Sequence, residues 1–431
     1  MNLNPVFIVE AKRTPQAKAG MELKDVQAPF LGHYLIRHIM DKLGLPNDVI
    51  DEVIFGCVGN PVDYPNIGRV IGLEAGLHKK VPGCTVHRNC AAGMEALAQA
   101  SIRIASQRDH LIFAGGVESM SNIPLLFNKK MTKLFTDLFK ARTPVQKLSA
   151  LMTFRPSFLV PIIAIQKALT DPFANVNMGM TAEILARDFG ITRSEQDEFA
   201  NRSHQRAAQA TKNGRFKDEI VPLIYGKKLD KILYEDKGFR EDSTVAGLSK
   251  MKPFFDKKAG TVTVGNACPI TDGGSCLLLA SEEAIKKYNL EPLAKIINWH
   301  FHGLEPERMG AGPILAMDGA FKRSGLKLSD MDLFEINEAF SAQVITVLRG
   351  MKEKKVADFF GLDTVWGEIN EDNLNPNGGG IALGHPVGSS GSRIIVTLLH
   401  ELMKRKGRYG IATLCIGGGQ GGAMIIENLK R

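Results

Sequence analysis

The chain has 431 residues, 44% hydrophobic and 23% charged, which is enough for two or three domain-sized units around a well-buried core. Its formal net charge is +8, but 126–170 carries eight Lys or Arg against a single Asp, so the remainder is close to neutral and a general nucleic-acid-binding surface is not expected. The six cysteines form no C-x-x-C pair, which argues against a zinc site and against a secreted disulfide framework and points to a reducing, cytoplasmic compartment.

Residues 2–10 read as a strand, not as a signal or Arg-rich transit peptide. Strands are predicted at 53–56, 111–114 and 333–336, alternating with helical patterns at 91–106, 194–213 and 389–406, which is an α/β arrangement. The helix at 194–213 carries a capping box read as Ser194 with Asp197. Cys90 stands at the start of the helix at 91–106, where positive potential favours a thiolate. Ala91, Ala92 and Gly93 leave room beside it for a ligand; the alternative is a small residue at a tight junction. Segment 121–175 breaks the rhythm. It holds an amphipathic stretch at 131–140 and an apolar run at 158–165, interrupted by Pro161 and too short to cross a bilayer. It reads as an inserted loop domain.

Asn337-Glu338-Ala339-Phe340 follows a predicted strand. Asn337 is either the N-cap of the next helix or a fixed amide that holds a water or a carbonyl oxygen. Three glycines at 378–380 let the backbone come close to a ligand or another loop, and His385, between Gly384 and Pro386, is held in one direction just before a helix. Cys415 ends a strand at the turn Gly417-Gly418-Gly419. A phosphate loop must open a helix, whereas 423–427 reads as a strand. Strand, cysteine, glycine turn, strand is a hairpin that presents a thiol beside free amides, which suits an oxyanion site. The two ends of the chain share a plan of loop, helix, strand and glycine turn. A duplication would make Cys90 and His385 equivalent; chance similarity is the competing explanation.

Taken together, Arg13-Thr14-Pro15, Asn89-Cys90-Ala91-Ala92-Gly93, Gly115-Gly116-Val117-Glu118-Ser119, Met178-Gly179-Met180, Gly265-Asn266-Ala267, Asn337-Glu338-Ala339-Phe340, Gly384-His385-Pro386 and Cys415-Ile416-Gly417-Gly418 resemble the thiolase family, the CoA-dependent acyltransferases that make or cleave 3-ketoacyl-CoA. The resemblance implies a five-layered α-β-α-β-α fold of two similar halves, at 1–120 with 176–288 and at 289–431, with the insert 121–175 over the CoA site. It implies that Cys90 carries the acyl group, that His385 activates it, and that Cys415 is the acid/base at the α-carbon of acetyl-CoA. Asn337 would hold a water that forms one oxyanion hole with His385, and the amides of Cys90 and Gly417 would form the other. Met178, Asn266, Cys268 and Phe340 would contact substrate. CoA is the co-substrate; no metal or redox cofactor is implied.

Asn177 stands where many relatives have His, and Cys268 where many have Ser. Pro269, Asn66-Ile67-Gly68-Arg69 and the basic insert resemble the degradative thiolase subunit of fatty-acid oxidation complexes. That branch often has His at the position of Asn337. The expectation is therefore β-oxidation of 3-ketoacyl-CoA by a homo-oligomer, a dimer or a dimer of dimers, with a partner subunit. The insert would contact CoA phosphates, an anionic membrane surface or that partner, or would simply be a solvated loop. The alternatives are a biosynthetic acetyl-CoA acetyltransferase, a decarboxylating ketoacyl synthase, against which Cys415 counts, and an inactive lipid-CoA binding protein.

Overall fold

The computed structural model describes residues 4–431. The N-terminal strand predicted at 2–10 is seen from Val6, and Asn2 and Leu3 lie outside the described residues. In chain order the main elements are β1 (Val6–Arg13), α1 (Ala28–Leu43), β2 (Glu52–Gly56), α2 (Ile67–Glu74), β3 (Gly83–Val86), α3 (Ala92–Ala105) and β4 (Leu111–Ser119). The insert carries α4 (Lys129–Lys140) and α5 (Pro144–Met152). There follow α6 (Met178–Asp188), α7 (Arg193–Lys212), β5 (Thr271–Ala280), β6 (Ala294–Gly303), α8 (Gly312–Ser324), β7 (Leu333–Ile336), α9 (Ser341–Lys352), α10 (Val387–Arg405), β8 (Tyr409–Ile416) and β9 (Gln420–Asn428).

Strand order is β7-β8-β9-β6-β1-β5-β4-β2-β3. The order is palindromic in kind. On one side β2 and β4 are parallel, and β5 and β1 follow antiparallel. On the other, β7 and β8 are parallel, and β9 and β6 follow antiparallel. The halves join where Val6 pairs with Ile296 and Ile8 with Ala294.

Alternation along the strands builds the layers. Ile54, Ile112, Ala114, Leu277 and Leu279 face a central core shared with Met94 and Leu97 of α3, Ile394 and Leu398 of α10, and Leu414 and Met424 of the other half. Val53, Phe55, Phe113 and Leu278 face outward, onto Leu35 and Ile39 of α1 and Ile71 of α2. Across the molecule Phe334, Ile411 and Ile425 face Ile314 and Phe321 of α8 and Val347 of α9. The result is five layers: helices, sheet, α3 with α10, sheet, helices. Two central helices covered on both sides need small faces to pack. A methyl on Gly93 of α3 would overlap Ser392 of α10. The space beside Gly93, read with that of Ala91 and Ala92 as room for a ligand, is thus taken by α10.

Residues 176–288 divide between the halves: β5, the short helix after it and Val221, Leu223 and Leu233 pack with the first half, whereas Leu185 of α6 and Phe199 of α7 pack in the core of the second half, beside Val344 and Ile336. The cap of α7 also differs from the expected pair. The helix begins at Arg193, so Thr192 caps it and Glu195 answers: Thr192 Oγ1 accepts from Glu195 N (3.2 Å) and Glu195 Oε2 accepts from Thr192 N (2.7 Å). In the insert, Met131 and Leu134 of α4 turn inward and the lysines outward, and the run at 158–165 is a short 3₁₀ turn and a strand pairing Ile162–Ile163 with Leu125–Leu126.

Candidate active site

The hairpin β8–β9 and the loop before α3 are tied together at Cys90. Asn89 has a left-handed backbone (φ 44°), which tightens the turn into α3, and its Nδ2 donates to Gly417 O at 2.7 Å. Arg88 reaches the same hairpin: its Nη1 donates to Gln420 Oε1 (3.0 Å), its Nε pairs with Glu95 (2.7 Å), and its guanidinium covers the Phe301 ring. Gly418 (φ 88°) and Gly419 (φ 72°) supply the left-handed residues that the turn needs. Cys415 pairs with Gly421 just before it and is buried.

His385 arrives just ahead of the other central helix, α10. Its backbone N donates to Thr271 Oγ1 (3.2 Å), and its strand-like bridge to Ile270 places it beside 267–270. Its Nδ1 lies 2.5 Å from Ser390 Oγ, and Ser390 Oγ donates to Pro386 O at 3.0 Å. With that hydroxyl hydrogen committed, Nδ1 carries the imidazole hydrogen and Nε2 is left as the proton acceptor. Burial, reinforced by Arg393, pushes His385 down to about 4, so the ring is neutral near pH 7.

Cys90, His385, Cys415, Cys268, Met178 and Phe340 line one cavity of about 840 Å³ with Gly417 at its wall. Met178 opens α6, where Asn177 Oδ1 accepts from Gly179 N (2.9 Å) as N-cap; the residue that replaces His is used to start a helix. Phe340 stacks edge-on against Phe255. Cys268 N donates to Ala339 O at 3.0 Å, and burial, then Cys90, pushes its thiol up to about 12. Two predicted residues stand behind the wall. Asn266 is buried with its amide fully used, accepting from Thr263 N (2.8 Å) and donating to Asp197 (3.0 Å) and Thr261 O (3.2 Å). Asn337 is not a helix cap, because α9 begins at Ser341; its N donates to Thr413 O, and its buried Nδ2 has no hydrogen-bond partner among the described residues.

Burial raises the Cys90 thiol above its ordinary value, although the amides of Gly417 and of Cys90 itself pull it back; Glu118 adds to the rise. Burial thus outweighs the neighbouring amides, against the expectation of a thiol lowered by its surroundings. Cys415 is pushed well above the ordinary range by burial, then by Cys90 and Cys268.

Family comparison agrees with this arrangement over the whole chain. The family model for the thiolase N-terminal domain matches residues 6–283, and that for the thiolase C-terminal domain matches 290–428. This chain belongs to the thiolase family. It is 38% identical over 427 residues, 99% of both chains, to a probable acetyl-CoA acyltransferase of Staphylococcus aureus, and 38% identical to an acetyl-CoA acetyltransferase of Syntrophomonas wolfei, over 98% of this chain and 99% of that one. Its fold is similar to the Bacillus anthracis acetyl-CoA acetyltransferase (TM-score 0.86, 35% identity, 100% of both chains). It is also similar to human mitochondrial 3-ketoacyl-CoA thiolase in complex with CoA (TM-score 0.85, 36% identity, 99% of this chain and 98% of that one). The protein is an acyltransferase.

Three features of this thiolase were not singled out from the sequence. Glu118 is buried on the cavity wall and accepts from the amides of Val58 (3.1 Å), Gly59 (2.8 Å) and Gly388 (2.8 Å), tying one sheet to the start of α10. A carboxylate inside a strand with every residue buried was the signal that could have found it. Lys18 and Arg240 line the neighbouring cavity of about 860 Å³, which meets the first at Met178, Cys268, Phe340 and His385. Neither is in an ion pair among the described residues, and burial and then Arg240 depress Lys18. Lys129, Lys133 and Lys140 of the insert instead line a separate surface groove. Arg13, from a family motif, is buried beneath the site and pairs with both oxygens of Asp236 (2.8 Å each) and with Glu219 (2.6 Å).

Proposed function

We propose that this thiolase cleaves 3-ketoacyl-CoA with CoA, releasing acetyl-CoA and a shortened acyl-CoA in the degradative direction. Cys90 attacks the keto carbon after giving its proton to Nε2 of His385. The C–C bond breaks, and Cys415 protonates the departing acetyl-CoA carbanion. The acyl group stays on Cys90 as a thioester until CoA takes it: the Cys415 thiolate removes the proton of the CoA thiol, the CoA sulfur attacks the thioester, and His385 returns its proton to the leaving Cys90 sulfur, so that both cysteines end protonated. Charge on the tetrahedral oxygen falls to the amides of Cys90 and Gly417. Asn337 holds a water that, with His385, takes the enolate oxygen of acetyl-CoA; its unpartnered Nδ2 supports that role. Run backward, the steps condense two acyl-CoAs.

The observation that carries the reading is the convergence of Cys90, Cys415 and the neutral imidazole of His385 on one cavity, with Gly417 on its wall. The raised thiols fit a site that generates the thiolate only against a bound thioester. Lys18 and Arg240, two unpaired cations facing one cavity, suit the phosphates of CoA. CoA-dependent cleavage of acetoacetyl-CoA and of a longer 3-ketoacyl-CoA tests the activity directly; a purified, folded chain that cleaves neither is not a degradative thiolase. For the division of roles, Cys415→Ala should still form an acyl-Cys90 adduct from acyl-CoA, visible by mass spectrometry, yet fail to condense or cleave. A variant that forms no adduct would contradict it.

A further inference from the structure

Strand β7 and the residue after it place two polar side chains on the inner side of the second sheet. Phe334 and Ile336 point to the outer helices, whereas Leu333 points to the central core. By alternation Glu335 and Asn337 share the side of Leu333 and face α10. Both are buried, as is Arg393 of α10 (2%, 0% and 0% exposed). Arg393 Nη2 lies 3.5 Å from Asn337 Oδ1. Its Nε and Nη1, and both carboxyl oxygens of Glu335, have no hydrogen-bond partner among the described residues. A guanidinium is costly to bury with donors unmet, and the reaction steps above give Arg393 no task.

Resting on the enolate role of Asn337 given above, we infer that Arg393 is a positioning residue for the carbon–carbon step: it holds Oδ1 of Asn337, so that Nδ2 is the end left to donate. A guanidinium has five N–H donors and no acceptor. A carboxamide turned the other way would set N–H against N–H, in a buried place that screens the opposed dipoles poorly. At 3.5 Å the contact is long and acts as an electrostatic steer, not a strong tie. Gly380 confines the amide from a second side, since a Cβ there would lie 3.2 Å from Oδ1. Arg393 also adds to the depression of His385. An effect travelling that way would reach acyl transfer to Cys90, because His385 serves both steps. An effect travelling through Asn337 reaches the enolate alone.

Two reactions of the full chain separate these routes. Exchange of labelled CoA into acetyl-CoA uses Cys90 and His385 but forms no enolate; cleavage of acetoacetyl-CoA forms one. Loss of a whole oxyanion donor costs ~10²–10³ in kcat, and Asn337→Ala should show that loss in cleavage. Arg393→Met, which frees the amide to turn, should lower kcat for cleavage about 10- to 100-fold, with KM and the exchange rate within about threefold of wild type. Arg393→Lys keeps the charge but not the fork and should lose about three- to tenfold, recovering part of the rate. In the Asn337→Ala background, Arg393→Met should cost less than about twofold more, because the two act as a unit. An additive loss in the double variant, or equal losses in exchange and cleavage, overturns the inference and leaves the thiolase reading standing. Asn337→Ala with wild-type cleavage removes the enolate role and the inference with it. Burial raises Glu335 to about 8 although Arg393 opposes the rise, so the carboxyl can hold a proton once the cation is gone. Should Arg393→Met still fail to fold, Arg393→Lys decides: wild-type cleavage in it overturns the inference.

Discussion

Asn89 does two things at once, and they can be separated. Its left-handed backbone shapes the turn before α3, and its amide pins Gly417 O at 2.7 Å, next to the Gly417 amide that faces Cys90. Asn89→Gly keeps the backbone freedom and removes only the side-chain bond; Asn89→Ala removes the bond and adds left-handed strain of about 1–2 kcal/mol. The lost hydrogen bond itself amounts to about 0.5–1.5 kcal/mol. Loss of a whole oxyanion donor costs ~10²–10³ in kcat. A Gly417 turn that is loosened but present should lie between, so kcat for Asn89→Gly should fall about 10- to 100-fold with little loss of stability. The distinguishing readout is the pH dependence of Cys90 alkylation by iodoacetamide, followed by mass spectrometry. In the wild type, reactivity should still be climbing through pH 9, because burial raises this thiol above its ordinary 9.0. In Asn89→Gly the curve should shift further up, since the Gly417 amide lowers the thiol and is now less well aimed. Wild-type kcat together with an unshifted alkylation curve in Asn89→Gly would refute the positioning role.

Ser390→Ala should free the His385 ring to take the wrong tautomer, lowering kcat about tenfold or more with a smaller effect on KM; Ser390→Thr should restore part of it, and equal activity in all three argues against tautomer control. Lys18→Ala with Arg240→Ala should raise KM for CoA thioesters much more than for pantetheine thioesters, which lack the adenylate phosphates; an equal rise for both places the phosphates elsewhere. Arg13→Met leaves Asp236 buried without its cation and takes from Glu219 one of its two, and should cost ~3–5 kcal/mol in urea unfolding. Burial works against the Glu219 carboxylate, but Arg13 and Arg215 hold it below its ordinary 4.5. That stabilisation is present above pH 4.5 and lost as pH falls through the lowered value, so the gap between variant and wild type should shrink in acid; a gap that widens in acid contradicts this account.

Local pattern was enough for what depends on near neighbours in the chain. The strand ending at Cys415 and its glycine turn, the helix after Cys90 and the helix after His385 could all be read from residue order, because periodicity, turn chemistry and caps act over a few positions. Even here the exact caps differed: Thr192 rather than Ser194 starts α7, since either residue has acidic residues at workable spacing. What residue order could not decide was which distant groups share a wall. Ala91, Ala92 and Gly93 were legible as small, but only packing reveals that α10 fills the space beside Ala91 and Gly93 and that β2 lies against Ala92 at Gly56. Asn266 and Cys268 are two residues apart, yet one has its amide consumed by Asp197 and Thr261 while the other faces the cavity. Lys18 and Arg240, more than two hundred residues apart, become one cationic wall, while the conspicuous lysines of α4 turn away from the cavity. Thiol chemistry also changed hands. Sequence identifies which cysteines sit beside amides and glycines, but burial in the assembled layers sets the sign of their shift, because desolvation is a property of everything packed around the sulfur and not of its neighbours in the chain.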